Sequence, residues 1–296
     1  MVPMGVGRPI VAGVAPDPTQ RTALAWAADQ AALRRMPLRL VHAEGVPTGG
    51  YRKSEVRPSW EEWNQALHET GERVLNSAVA FVEERQPQVV LSALLAEGEP
   101  AWVLREQARD AAEVVLGSRH LGPMEGDFSP ASVALPVMTH TSCPVVVVPE
   151  PEHRAQDPAF VVVGVDGSAH SAAAVDVAFQ QAALHGAVLR ALYVHSPERF
   201  GRVDEHTAHD ACRSLLSETV AGRTATYPEV VVHQEVLLGH PVEELAKASA
   251  HARCLVVGTR GRGGFTGMLL GSVSQGMLHY AQCPVIAVPQ PGNNTP

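Results

Sequence analysis

The feature that most constrains this chain is an internal duplication. Short blocks of the first half return in the second half in the same order. The matched blocks are residues 10–14 with 161–165, 31–33 with 182–184, 40–42 with 193–195, 98–100 with 239–241, 114–117 with 255–258, and 141–149 with 281–289. A repeat that keeps its order indicates two copies of one fold. A polar, proline-bounded stretch separates the copies, so we expect domains at 1–150 and 159–296 and a linker at 151–158.

Within each copy, short apolar runs alternate with segments of helical periodicity. In the second copy the runs predict strands at 160–165, 188–194, 230–238, 254–257 and 285–288. The segments between them predict helices at 171–184, 205–221, 242–251 and 273–281. Continuous β-branched runs suit strands that are buried on both faces of a parallel sheet. The sequence therefore predicts an α/β fold of two tandem, doubly wound, parallel five-stranded sheets, with ligand sites beyond the carboxyl ends of the strands.

Charge and hydropathy exclude several classes of partner. The chain has 31 acidic and 23 basic residues, so it lacks the excess of basic charge that nucleic-acid binding requires. Its apolar runs are far shorter than the roughly 20 residues that span a bilayer. The N-terminal residues carry no long apolar signal core. We therefore expect no nucleic acid partner, no membrane association and a cytoplasmic location.

Two other sets of side chains raise the question of metal or redox chemistry. The four cysteines, at 143, 212, 254 and 283, form no close pair, and we expect buried thiols without a reaction. His206 and His209 could share a helical face, but no third ligand accompanies them at a diagnostic spacing. We therefore assign no metal site to the protein itself.

Two loops of the second copy carry the strongest chemical signal. The first strand leads into Asp166, Gly167 and Ser168, which provide a carboxylate, a tight turn and a helix cap. The fourth strand leads into the glycine-rich residues 258–274, which then open the last helix. Backbone N–H groups of such a loop and helix start favour phosphate, and Arg260 and Arg262 could add positive charge. The alternative is a glycine-rich turn without a ligand.

These residues resemble the universal stress protein family in its tandem, actinobacterial form. ATP-binding members carry Gly, two residues, Gly, nine residues, then Gly and Ser or Thr, and Gly258, Gly261, Gly271 and Ser272 match that spacing. The resemblance implies a Rossmann-like fold of the adenine nucleotide alpha hydrolase type and a site for ATP, or for ADP or AMP, with Mg²⁺. It places Gly164, Asp166 and the backbone at Val194 at the adenosine end. The ribose and phosphates would lie against Gly258, Thr259, Arg260, Gly261, Arg262, Gly263, Gly264, Gly271, Ser272, Val273 and Ser274.

The first copy departs from this pattern. Ala15 stands in place of Asp166, His120 in place of Gly261, and Ala131 in place of Gly271. The residues that remain as weaker candidates are Gly13, Gly117, Ser132 and Val133. We expect the first copy to bind nucleotide weakly or not at all, because added side chains crowd a phosphate and the carboxylate is missing.

The function implied by the resemblance is that of an ATP-binding regulator of stress response or growth that acts through an unknown protein partner. No catalytic residue is assigned. A slow ATPase assisted by Asp166, directly or through Mg²⁺, is one alternative, and a non-catalytic interaction module with a vestigial pocket is another. The resemblance also suggests a homodimer through the final strands, 145–148 and 285–288, although in a tandem chain these strands could pair with each other instead.

Overall fold

The computed structural model of the chain describes residues 7–17, 21–44, 60–118, 133–150, 153, 155–195, 205–262 and 270–290. By their contacts the residues form two compact units, Met1–Gly117 and Ser118–Pro296. None of the described helices is long and apolar enough to cross a membrane.

The first unit is a parallel sheet with helices between its strands. Its elements are β1 (Ile10–Gly13), α1 (Thr22–Arg34), β2 (Leu38–Glu44), α2 (Trp60–Arg85), β3 (Leu91–Glu97), α3 (Pro100–Ala108) and β4 (Glu113–Gly117). The strand order is β3-β2-β1-β4, and all of these pairs are parallel. The carboxyl ends of the strands therefore meet at one edge of the sheet.

The second unit repeats this plan and adds two strands, β5 and β10. Its elements are α4 (Ala134–His140), β5 (Val145–Val148), β6 (Phe160–Val165), α5 (Ala169–His185), β7 (Val188–His195), α6 (Glu205–Val220), α7 (Arg223–Thr226), β8 (Val232–Leu238), α8 (Pro241–Ser249), β9 (Cys254–Gly258), α9 (Ser272–Tyr280) and β10 (Val285–Val288). Five strands are parallel, in the order β10-β9-β6-β7-β8. β5 joins them antiparallel to β10.

The predicted parallel α/β fold is confirmed. Strands β6 and β10 have the predicted bounds, and the apolar runs that predicted them are buried. Pro241 occupies the first turn of α8, where a missing N–H costs no hydrogen bond. All four cysteines are buried, as expected, and burial raises the pKa of Cys283 to about 12.

The final strands of the two copies pair with each other inside the chain. Val285 lies opposite Val147 and Ala287 opposite Val145 in the antiparallel ladder. On its other side β10 pairs in parallel with β9. Of the two uses expected for these strands, the structure therefore has the intrachain one. Both edges of β10 carry hydrogen-bonded neighbours. A strand from a second chain therefore has no open edge of β10 to pair with.

The equivalent helices α1 and α5 end in the same backbone conformation with different residues. Arg35 follows α1 at φ 52°, and Gly186 follows α5 at φ 58°. Placing a residue with a Cβ in this left-handed region destabilises the folded state by about 1–2 kcal/mol. A change to glycine removes this strain, but the greater entropy of glycine in the unfolded chain offsets about 0.4–1 kcal/mol of the gain. We expect Arg35→Gly to raise the free energy of unfolding by about 0.5–1 kcal/mol in urea denaturation.

Gly186→Ala is the matched control for Arg35→Gly. Among the described atoms nothing lies within 4 Å of a Cβ added at Gly186. The loss of stability expected for Gly186→Ala therefore comes only from placing a Cβ in the left-handed conformation. A lower stability of Arg35→Gly than of the wild type would contradict the argument.

Candidate functional site

The turn after β6 brings a carboxylate to the start of a helix. Gly167 has φ 76°, and the Ser168 Oγ accepts a hydrogen bond from the Ser171 N–H at 3.1 Å. The Ser168 N–H donates to Asp166 Oδ1 at 2.9 Å. The predicted glycine turn and serine cap are therefore confirmed. A Cβ at Gly167 would also lie within 3.0 Å of the Leu215 side chain on α6, so a larger residue here would require Leu215 to move.

The loop after β9 is tied to the start of α9. The Thr259 N–H donates to Val288 O at 2.9 Å, and the Gly271 N–H donates to Thr259 O at 2.8 Å. The buried Ser274 hydroxyl donates to Gly258 O. Gly271 is the N-cap of α9 and offers no capping side chain. The N-terminal N–H groups of α9 therefore lie beside the end of β9 without a side-chain cap, in the arrangement that binds anions.

Asp166 connects the two loops. Its Oδ2 accepts a hydrogen bond from the Arg262 N–H at 2.8 Å, and a Cβ added at Gly261 would collide with the same carboxylate. Partial burial acts to raise the pKa of Asp166, but hydrogen bonds from Ser168 and Arg262 outweigh it, so the pKa lies below its usual range. The carboxylate is therefore ionised at neutral pH and holds residues 261 and 262 against the end of β6.

His170 lies beside these two loops and was not predicted from the sequence. It lies in the first turn of α5, and a Cβ added at Gly258 would be 2.7–2.9 Å from its Cβ, C and O atoms. Gly258 is therefore required by close packing between the end of β9 and the start of α5. The sequence could have indicated this residue by its position, because the first turn of the helix that follows β6 lies next to the neighbouring strand.

The other predicted contacts occupy the same edge of the sheet. Gly164 lies opposite Leu192 on β7, and Val194 lies one residue beyond the last pair of these strands, Val165 with Tyr193. The position of Val194 therefore leaves it next to the turn that carries Asp166.

The remaining predicted phosphate contacts differ in exposure. Thr259 and Ser274 are buried, Arg260, Gly271 and Val273 are half-buried, and Gly261, Arg262 and Ser272 are exposed. Gly263 and Gly264 lie outside the described residues. The exposed and half-buried residues are those that a ligand in solution can reach.

The first unit lacks this close packing. α1 begins at Thr22, and its N-cap, Arg21, makes no side-chain cap. Among the described atoms, a Cβ added at Gly117 would meet only the Ala23 Cβ, at 3.8 Å. A Cβ at Gly13 would meet only leucine side chains. Gly13 and Gly117 therefore lie at strand ends, but the described atoms show neither of them in the close contact with backbone that Gly258 makes.

Of the first copy's other candidates, only Val133 is among the described residues. Val133 is the N-cap of α4 and makes no side-chain cap. Ser132, His120 and Ala131 lie outside the described residues.

Metal ligands do not cluster in the part of the chain that the structure describes. No group of three or more His, Cys, Asp or Glu side chains there is arranged to hold an ion. The His209 ring lies 6.5 Å from the His195 ring, while His206 is exposed. Both oxygens of Asp166 accept backbone hydrogen bonds, which fix the orientation of the carboxylate.

Comparison with known proteins identifies relatives over nearly the whole chain. The model of the universal stress protein family matches residues 7–149 and 160–289. Universal stress protein Rv2623 of Mycobacterium tuberculosis is 31% identical over 287 residues, which cover 94% of this chain and 95% of the relative. Rv1996 of the same organism is 33% identical over 303 residues and covers 95% of each chain.

The fold is also found among solved structures. The crystal structure of a universal stress protein from Archaeoglobus fulgidus matches with a TM-score of 0.71 at 16% identity. The match covers 96% of this chain and 97% of that protein. At this level of identity the match supports the fold alone.

Proposed function

The chain belongs to the universal stress protein family, and from that premise we propose that its second half binds ATP and regulates stress response or growth according to nucleotide occupancy. The observation that supports this most is the junction of the two strand-end loops. There the Arg262 N–H meets the Asp166 carboxylate beside the uncapped start of α9.

The residues of this junction suit the phosphate end of a nucleotide. The first N–H groups of α9 and the helix dipole attract negative charge. Arg260 adds a guanidinium from the end of β9, and Gly261 has no side chain to cover the backbone. The chain therefore offers backbone donors, a cationic side chain and an exposed glycine at one place.

The adenosine end is proposed to lie toward β7. Gly164, Asp166 and Val194 surround the ends of β6 and β7 there. ATP would supply its own Mg²⁺ on the phosphates, because the described residues form no ion-binding cluster. This chain's contribution is then to bind and orient the nucleotide.

Regulation would operate through residues 258–262. Asp166 holds Arg262 through one hydrogen bond, so a ligand that contacts Asp166 or the loop changes the stability of this link. A ligand shifts a conformation only by its differential affinity for the two states. We propose that a protein partner in the cytoplasm recognises the altered loop.

The proposal predicts one tightly bound adenine nucleotide per chain. Native mass spectrometry of the purified protein identifies and counts the nucleotide, and titration calorimetry with ATP measures the stoichiometry. Two tight sites would contradict the assignment of the first half as a weak or inactive site. No bound nucleotide and no shift of the melting temperature with ATP would favour an interaction module, since a ligand at a hundred times its Kd stabilises a protein by about 2.7 kcal/mol.

Gly261→Val tests where that nucleotide lies. The added side chain would collide with the Asp166 carboxylate and cover the loop backbone, so the affinity for ATP should fall. Because Gly261 is exposed, the circular dichroism spectrum should not change. An unchanged affinity would show that the loop is not the binding site.

A further inference from the structure

We propose that His170 faces the phosphates of the bound nucleotide and takes up a proton when they bind, so that the affinity of this site for nucleotide rises as the pH falls. This inference rests on the proposed function of the same site. It adds a regulatory input, the proton concentration, to the nucleotide itself.

His170 is positioned by contacts with the end of β9. Its backbone and Cβ pack on Gly258, and the Gly258 carbonyl accepts the Ser274 hydroxyl of α9. His170 is therefore at the contact between the start of α5 and the end of β9, which is in turn fastened to the start of α9. It is half-buried, so the residue is neither part of the core nor fully in solvent.

Two charged side chains act on the protonation of His170. Burial and the Arg260 guanidinium lower the pKa of His170, and the Asp166 carboxylate offsets part of that effect. The imidazole is therefore neutral at physiological pH in the free protein. A cation and an anion from two different strand ends already act on this one side chain.

β7 and α6 carry further ionisable side chains, but among the described residues the charges that act on His170 are those of Arg260 and Asp166. β10 contains only apolar residues. On α6, burial raises the pKa of the Cys212 thiol, so the thiol stays neutral. Farther along α5, Asp176 forms an ion pair with Arg223 at 2.7 Å. The balance at His170 therefore depends on Arg260, Asp166 and whatever anion binds.

Binding of phosphate changes that balance. Several negative charges placed near Arg260 cancel its repulsion and favour the imidazolium, which raises the pKa of His170 in the complex. A group that gains a proton on binding makes the affinity increase as the pH falls between its free and bound pKa values. The first copy has Thr19 at the aligned position, so the effect belongs to the second copy.

The test is the dissociation constant of ATP at pH 6 and pH 8 for the wild type and for His170→Gln. The phosphates of ATP titrate in the same range, but they contribute equally to both proteins. We expect the wild type to gain about tenfold more affinity than His170→Gln between pH 8 and pH 6, as one charge-assisted contact would provide. His170→Arg, with a permanent charge, should bind tightly at pH 8 without the additional pH dependence.

His251→Gln is the matched control. His251 is exposed and precedes β9, at the sheet edge opposite the site, so this variant should follow the wild type at both pH values. Equal pH dependence in the wild type and His170→Gln would overturn the inference while leaving the proposed function in place. Failure of the wild type to bind ATP at any pH would overturn the proposed function and the inference together.

A second measurement does not depend on the stability of the variants. The imidazole of His170 can be titrated by NMR in the wild-type protein with and without ATP. We expect its pKa to be higher in the complex. An unchanged or lower value would contradict the proposal.

Discussion

Alanine at Gly258 is expected to weaken ATP binding by about tenfold to a hundredfold, whereas alanine at the aligned Gly117 should leave it unchanged. The added Cβ at Gly258 would lie 2.7–2.9 Å from His170 atoms that include the backbone C and O. Backbone cannot rotate away as a side chain can, so α5 must move from the end of β9. Such overpacking costs about 1–3 kcal/mol. Each 1.4 kcal/mol by which the nucleotide-bound state is destabilised lowers the affinity about tenfold.

Gly117→Ala provides the matched control because the repeat places it at the same strand end. Its added Cβ would meet only the Ala23 Cβ, at 3.8 Å, among the described atoms. Calorimetry with ATP and a thermal melt should be measured for both variants. Equal losses of affinity in the two would show that the site does not belong to the second copy, and a Gly258→Ala protein that binds normally would show that the contact with His170 is unimportant.

Arg34→Ala is expected to lower the free energy of unfolding by about 3–5 kcal/mol, the largest effect on stability predicted for this chain. Glu113 is only 2% exposed, and its Oε2 is 3.0 Å from the Arg34 Nη1. Its Oε1 has no hydrogen-bond partner among the described residues. Without the guanidinium, the first unit would contain a buried carboxylate with no compensating charge. Urea denaturation at pH 7 measures the loss.

The pH dependence of that loss identifies its origin. Burial raises the pKa of Glu113 above 4.5, and Arg34 offsets part of the rise. A carboxyl with a raised folded pKa stabilises the fold below its unfolded pKa, and this contribution is lost as the pH rises through the folded value. Arg34→Ala removes the offset, so its destabilisation should shrink toward pH 4. Glu113→Gln in the Arg34→Ala background should recover stability at pH 7, and no recovery would contradict the buried-charge explanation.

Local residue patterns were sufficient to predict much of the second unit. The valine-rich runs of β6 and β10 predict those strands with the observed bounds, because β-branched side chains buried on both faces suit a parallel sheet. Gly167 and Ser168 predict the turn and the helix cap, since the positive φ and the cap are properties of neighbouring residues. The sequence also places Asp166 and the loop after β9 at one edge, because parallel strands end together.

Contacts between distant residues could not be read from these local patterns. The bond from the Arg262 N–H to Asp166 joins residues 96 positions apart, and the packing of His170 on Gly258 depends on how α5 lies against β9. The pairing of β5 with β10 is of the same kind, since the valines of both strands allow either an intrachain or an interchain partner.

The sequence by itself therefore determined the duplicated α/β fold, the order of its strands and helices, and the residues available at the strand ends. Those features depend on side-chain periodicity and on turn and cap preferences, which act over a few residues. Only the tertiary structure decided that Asp166 holds the loop through a hydrogen bond, that His170 packs on Gly258 and that the final strands pair within the chain. These depend on the distances between elements, which are set when helices and strands pack together.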